Sequence, residues 1–211
     1  RWHDLTGCNI IEGYGMTECS PLIAACPINV VKHNGTIGVP VPNTDIKIIK
    51  DDGSEAQLGE AGGLWVKGEQ VMRGYWQRPE ATAEVLQDGW MATGDIVIMD
   101  ESYSLRIVDR KKDMINRGGE KICSFDVENE IYKLKGVNEA AVVGIPDDVY
   151  GEVAAALVKL DPGSDLDEPK IQALLHKKIA KYKIPKRILI TDEIPLTPNG
   201  KIDKRAIRKM F

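Results

Sequence analysis

The chain changes character at Arg110. Before it, short segments alternate apolar and polar residues between Gly-, Asp- and Ser-rich turns; beyond it, helical periods and strands take turns. Between them lies KKDMINRGGEK (Lys111–Lys121), polar, basic and glycine-containing, as a linker or hinge would be. A length of 211 residues suits one large domain or two small ones. The change of pattern places a boundary near Arg110, dividing the chain into 1–109 and 110–211.

Within the first part, residues 1–34 read as a strand, a turn around EGYGMTE and a loop, and 35–109 as β structure. TDIKIIK (Thr44–Lys50) follows the period of two expected of a half-buried strand, and the DDG after it is a turn. GGLWVKG, DIVIMD and LRIVDR are further short strands, and RPEATAEVL (Arg78–Leu86) is a short helix with proline near its start. So many short strands predict a small barrel or a curled sheet.

The second part predicts helix, strand, strand, helix, strand. SFDVENEIYKLKG carries Phe125, Val127, Ile131 and Leu134, with Gly136 as a stop. EAAVVGIP and EVAAALVKL are strands. EPKIQALLHKKIAKY sets Ile171, Leu174, Leu175 and Ile179 on one face, with lysines toward the end that suits the helix dipole. KRILIT is a last strand, and a short basic helix closes the sequence.

The bulk numbers exclude several classes. A net charge of −4 argues against a general nucleic-acid binder. No apolar run is long enough to span a bilayer, and RWHDLTGCNI lacks the form of a signal peptide. Cys8, Cys19, Cys26 and Cys123 form no CxxC pair, and His3, His33 and His176 are scattered, so free thiols in a cytoplasmic protein are expected and a zinc site is not.

Four stretches carry possible chemistry. GYGMTE (Gly13–Glu18) offers glycines for close approach, a flat ring in Tyr14, a donor in Thr17 and a hard oxygen for Mg²⁺ in Glu18. WMATGD (Trp90–Asp95) puts a carboxylate where it can accept from two vicinal hydroxyls, as a ribose presents. IVDRKKDMINRGGEK (Ile107–Lys121) supplies the planar fork of Arg110 and the flexible pair Gly118–Gly119. PLTPNGK (Pro195–Lys201) holds one lysine out on a proline-stiffened turn. Standing alone, each is more often an ordinary turn, linker or surface charge.

Their order and joint wording weigh against four ordinary readings. Together with IGVPVPNTDIKI, GGLWVKGEQVMRGYWQRPEAT and PLTPNGKIDK, they resemble the adenylate-forming superfamily of acyl-CoA synthetases, peptide-synthetase adenylation domains and luciferases, over the whole chain. EGYGMTECSPL with VMRGYWQRPEAT is most similar to bacterial long-chain fatty-acid–CoA ligases, whereas NRGGEKI is also common to medium-chain and aryl-acid ligases. The resemblance implies an α/β and α+β fold. Residues 1–34 would be an α/β remnant of the large domain, 35–109 its distorted β-barrel, and 110–211 a small, mobile α+β lid domain.

Such enzymes first join a carboxylate to the α-phosphate of ATP, then pass the acyl group to the thiol of coenzyme A. The resemblance implies that Tyr14 packs on adenine, Thr17 contacts the α-phosphate and Glu18 accompanies Mg²⁺. It likewise implies that Asp95 holds the ribose hydroxyls with help from Arg110, and that Lys121 contacts phosphate. Lys112 would be the hinge, Gly118 and Gly119 would line the pantetheine tunnel, and Lys201 would be the adenylation lysine. The implied partners are a fatty acid, ATP and CoA, with no nucleic acid and with a membrane surface as a plausible neighbour.

The phosphate loop of the superfamily, rich in Ser, Thr and Gly, has no counterpart in the sequence. The resemblance therefore implies the C-terminal portion of a ligase, inactive without the rest of the large domain. Two alternatives stay open: a medium-chain or aryl-acid ligase of the same superfamily, and a non-catalytic binding module that keeps the lid fold.

Overall fold

The structure, a computed structural model, describes residues 2–28 and 35–211. The end of the loop expected before Gly35 lies outside the described residues. The chain divides into two compact units, Arg1–Lys111 and Lys112–Phe211.

The first unit opens with a short exposed helix, α1 (Trp2–Thr6), where a strand was expected; Gly7 at φ 68° ends it. Strands β1 (Gly13–Gly15), β2 (Leu22–Ala25) and β3 (Val39–Pro40) form an antiparallel sheet in that order. The expected turn around EGYGMTE is thus a strand at its centre, with the reversal displaced to a 3₁₀ turn at Thr17–Cys19. The glycine there answers to packing rather than to turning. A Cβ on Gly15 would lie 1.7 Å from the Pro21 carbonyl oxygen across the hairpin.

The rest of this unit is a second antiparallel sheet. It contains β4 (Asp45–Ile49), β5 (Ala61–Lys67), β6 (Leu86–Gln87), β7 (Trp90–Met99) and β8 (Leu105–Arg110), with helix α2 (Pro79–Val85) leading into β6. The ten-residue β7 is the organising strand: β5 runs along one edge, while β6 and β8 share the other. Ile37 N–H donates to the Leu105 carbonyl and Leu105 N–H to that of Gly38, both at 2.8 Å, so β8 meets the segment leading into β3. The two sheets thereby enclose one core of Tyr14, Ile23, Ala24, Ile48, Leu64, Val66, Met91, Val97 and Leu105.

The second unit begins inside the expected linker. Its strands β9 (Ile115–Arg117) and β10 (Glu120–Ile122) pair as a tight hairpin, so the latter part of KKDMINRGGEK, from Ile115 on, is ordered β structure. The apolar Ile115 and Ile122 decide this, both fully buried in the unit's core. Helix α3 (Ser124–Tyr132), strands β11 (Val137–Asp147) and β12 (Gly151–Leu160), helix α4 (Glu168–Leu175), strand β13 (Arg187–Thr191) and helix α5 (Lys204–Arg208) follow. β13 runs parallel to β12.

Strand β11 reads as a continuous apolar run because both faces of the sheet are covered. Ala140 and Val142 join the core under α3 and α4; Ala141, Val143 and Ile145 join Ile194 and Ile207 on the other side. Val127 and Ile131 on α3, and Leu134 just beyond it, are buried as expected, but Phe125 is 51% exposed. Two residues turn a helix by about 200°, so Phe125 and Val127 cannot share a face. The helix expected over Glu168–Tyr182 ends at Leu175, and a 3₁₀ turn follows at Lys181–Lys183. Among the described residues no helix is long and apolar enough to cross a membrane.

Candidate nucleotide site and lysine arm

In the first unit, β7 and β8 pair Asp95 directly with Arg110. Arg110 Nε lies 3.2 Å from Asp95 Oδ1, and the Tyr14 hydroxyl donates to Oδ2. Thr93 Oγ1 accepts from Asp95 N–H at 3.2 Å and donates to the Leu64 carbonyl at 3.0 Å, which holds the Thr-Gly bend before the carboxylate. Asp95 itself is 6% exposed. Burial, with the adjacent Asp95 carboxylate second, pushes the Tyr14 hydroxyl well above its ordinary range, so it stays a donor. A carboxylate has about four lone-pair sites, so one donor on each oxygen leaves Asp95 able to accept two further hydroxyls.

Tyr14, Asp95 and Arg110 are therefore brought together. The ring of Tyr14 is mostly buried in the core, at 9% exposure. Thr17 and Glu18 lie on the 3₁₀ turn after β1, Thr17 exposed and Glu18 half-buried. Met72 N–H donates to the Glu18 carbonyl and the Tyr75 hydroxyl to Glu18 Oε1, each at 2.8 Å. The carboxylate acting as acceptor raises the Tyr75 hydroxyl above its usual range.

No group of three or more His, Cys, Asp or Glu side chains among the described residues could cage a metal. A single carboxylate with one oxygen engaged fits Mg²⁺ carried by a nucleotide, because that ion takes one or two carboxylates plus phosphate oxygens and keeps several waters.

The second unit holds Lys112, Gly118, Gly119, Lys121 and Lys201. Lys112 is its first residue; its carbonyl accepts from Arg208 Nη2 at 3.3 Å. Arg117 and Glu120 pair, leaving Gly118 and Gly119 as a two-residue turn at φ 60° and 97°. Only glycine adopts two such positions in succession without cost. Gly118 N–H donates to the Tyr150 carbonyl at 2.9 Å, and the Arg117 guanidinium lies 3.6 Å from the centre of the Tyr150 ring. Lys121 is exposed on β10.

Lys201 is exposed at the end of a small hairpin: Thr197 N–H donates to its carbonyl at 2.6 Å, and its own N–H donates to Thr197 Oγ1 at 3.2 Å. Leu196 and Ile202 bridge just outside this pair, and Gly200 takes φ 75° at the bend.

Residues 1–76 match the AMP-binding enzyme family, and residues 126–201 match the AMP-binding enzyme C-terminal domain. The chain belongs to the AMP-binding enzyme family. Among AMP-binding enzymes it is 65% identical over 209 residues to a long-chain-fatty-acid–CoA ligase of Haemophilus influenzae, covering 99% of this chain and 37% of that protein. It is 43% identical over 206 residues to a feruloyl-CoA synthase of Amycolatopsis sp, covering 97% of this chain and 42% of the relative. The crystal structure of ATP-bound MatB from Rhodopseudomonas palustris matches with a TM-score of 0.92 and 33% identity, over 99% of this chain and 42% of that one. The chain thus spans well under half the length of these relatives, and over that span it has their α/β and α+β fold.

Three contributors are not marked by the sequence: Thr93, Tyr75 and Tyr150. Thr93 and Tyr75 stand inside the WMATGD and VMRGYWQRPEAT stretches, so a signal is present there but names no partner. Nothing local to Tyr150 points to the glycine hairpin.

Proposed function

We propose that this chain is part of an ATP-dependent fatty-acid–CoA ligase acting on long-chain acids through an acyl-adenylate and then a thioester. The observation that carries this reading is the pairing of Tyr14 and Arg110 on the buried Asp95 carboxylate, a ready acceptor for ribose hydroxyls. Thr17 contacts the α-phosphate, and the ring of Tyr14 and the Lys121 ammonium add contacts to the nucleotide. Mg²⁺ bound beside Glu18 would offset phosphate charge.

In the second unit, the Lys201 ammonium stabilises charge that builds while the fatty carboxylate attacks the α-phosphate and pyrophosphate leaves. The CoA thiol then attacks the acyl carbonyl, AMP leaves, and the pantetheine arm runs past Gly118–Gly119. Lys112 is the pivot between the two steps. The identity to a long-chain ligase supports the long-chain acid. The likeness to a feruloyl-CoA synthase favours an aryl acid as the second reading.

The test is pyrophosphate release from ATP and Mg²⁺ by the longest natural polypeptide carrying this sequence, with acids from acetate to long-chain and aryl. Release should peak with long-chain acids and fall by about 10²–10³-fold in Lys201→Ala. A peak with aryl acids selects the second reading. No release with any acid defeats both.

A further inference from the structure

Lys204 stands three positions after the exposed Lys201, yet its side chain is only 20% exposed. Its ammonium lies 2.9 Å from Glu128 Oε1 and donates to Ser124 Oγ at 2.8 Å, both on α3. Glu128 is itself tied down, since its Oε1 accepts from Val142 N–H on β11 at 2.8 Å and its side chain is 13% exposed. Ser124 is fully buried.

The residues between the two lysines pass this restraint on. Asp203 N–H donates to the Pro195 carbonyl at 2.8 Å, closing the base of the Lys201 hairpin. The Asp203 carboxylate caps α5 by accepting from the N–H groups of Arg205 and Ala206, each at 3.0 Å. Ile202 packs against the core that also holds the buried Ile194 and Ile207. Hairpin and helix are thus one piece, and Lys204 is the charged side chain that pins it to α3.

We propose that Lys204, through Glu128 and Ser124, is a positioning residue for the Lys201 ammonium. This rests on the adenylation role proposed for Lys201. A half-buried ion pair that is hydrogen-bonded on both sides resists rotation in a way an apolar contact does not, because tilting the helix would leave a charge unpaired. Displacement of a catalytic group by about 1 Å can cost on the order of a hundredfold in rate. The hairpin's own bonds set the shape of the arm; the Lys204 contact sets its direction.

The experiment measures the two half-reactions separately in the longest natural polypeptide carrying this sequence. Adenylation is followed by acid-dependent exchange of pyrophosphate into ATP. Thioester formation is followed from synthetic acyl-adenylate and CoA. Lys204→Met should lower kcat of adenylation by roughly ten- to a hundredfold while KM for ATP and the thioester step change by no more than about threefold. Lys204→Arg should restore most of the loss. If Lys204→Met does not fold, Glu128→Gln weakens the same contact while keeping an acceptor for Val142, and the same split is expected.

A parallel fall of both half-reactions, or an undiminished adenylation rate, overturns the proposal. Lys201→Ala, run alongside, tells the two failures apart. If it abolishes adenylation and the Lys204 variants do not disturb it, only the positioning role is lost. If Lys201→Ala itself retains adenylation, the assignment of Lys201 fails first.

Discussion

Tyr14 donates its hydroxyl to Asp95, a residue 81 positions later in the chain. The two meet because β1 and β7 both contribute to one core, Tyr14 from β1 and Met91 and Val97 from either side of Asp95 on β7, and neither has a local reason to face the other. Tyr14→Phe keeps the ring and removes the donor. It should cost about 1–3 kcal/mol of the first unit's stability, because a nearly buried carboxylate loses a partner. Urea unfolding checks this. Asp95→Asn should instead act on the nucleotide, weakening ATP by roughly ten- to a hundredfold in calorimetric titration.

Tyr75→Phe isolates the support under Glu18. The substitution removes one hydrogen bond from Oε1 and leaves the backbone bond from Met72 intact. The apparent Mg²⁺ requirement for pyrophosphate release should rise by roughly three- to tenfold, the value of about one hydrogen bond. An unchanged Mg²⁺ dependence would show that Glu18 needs no such support.

Gly119→Val tests the hairpin of the second unit. At φ 97° a β-branched residue is strained by about 1–3 kcal/mol, which should loosen the turn without unfolding the unit. Thioester formation should fall by roughly five- to a hundredfold while adenylation holds, if a penalty of about 1–3 kcal/mol falls on that step only. Loss of adenylation to the same degree would remove the glycine pair from the thiol-transfer step.

The turn that supports this hairpin carries its own pH signature. Lys186 donates to the Asp147 carboxylate, and the N–H groups of Tyr150 and Val149 add bonds at 3.0 Å. Led by the lysine, these bonds lower its pKa from 3.8 to about 2. The folded value lies below the unfolded one, so the stabilisation is present above about pH 4 and lost as pH falls through about 2. Asp147→Asn should flatten the decline in urea midpoint over that interval. A decline as steep as that of the unsubstituted chain would assign acid lability to other carboxylates.

Much of the architecture could be read along the chain because its signals are local. β4 opens with alternating polar and apolar residues, and α4 is capped by Asp167 and carries Ile171 and Leu175 one turn apart, both fully buried. The same holds for Asp95 and Arg110, whose places in WMATGD and IVDR mark them as a pair by motif wording alone. Three features ran against local appearance. Gly13–Gly15 looks like a turn, but its missing side chains let β1 lie close against the segment Pro21–Leu22. Lys111–Lys121 looks like a solvated linker, but Ile115 and Ile122 are drawn into the core from either side of its glycine pair. Phe125 looks like a core residue until the helical angle to Val127 is counted.

The sequence by itself determined the family and the periods of the main strands and helices. Residue type and spacing suffice for these, because capping, strand alternation and motif wording are properties of neighbouring residues. Only the tertiary structure decided that Tyr14 holds Asp95, that Tyr75 holds Glu18, and that of the two lysines in GKIDK one is exposed at a hairpin end and the other is pinned to α3. Contacts between distant segments depend on sheet register and on which face of a helix meets which strand. Those are settled by burying the whole core at once.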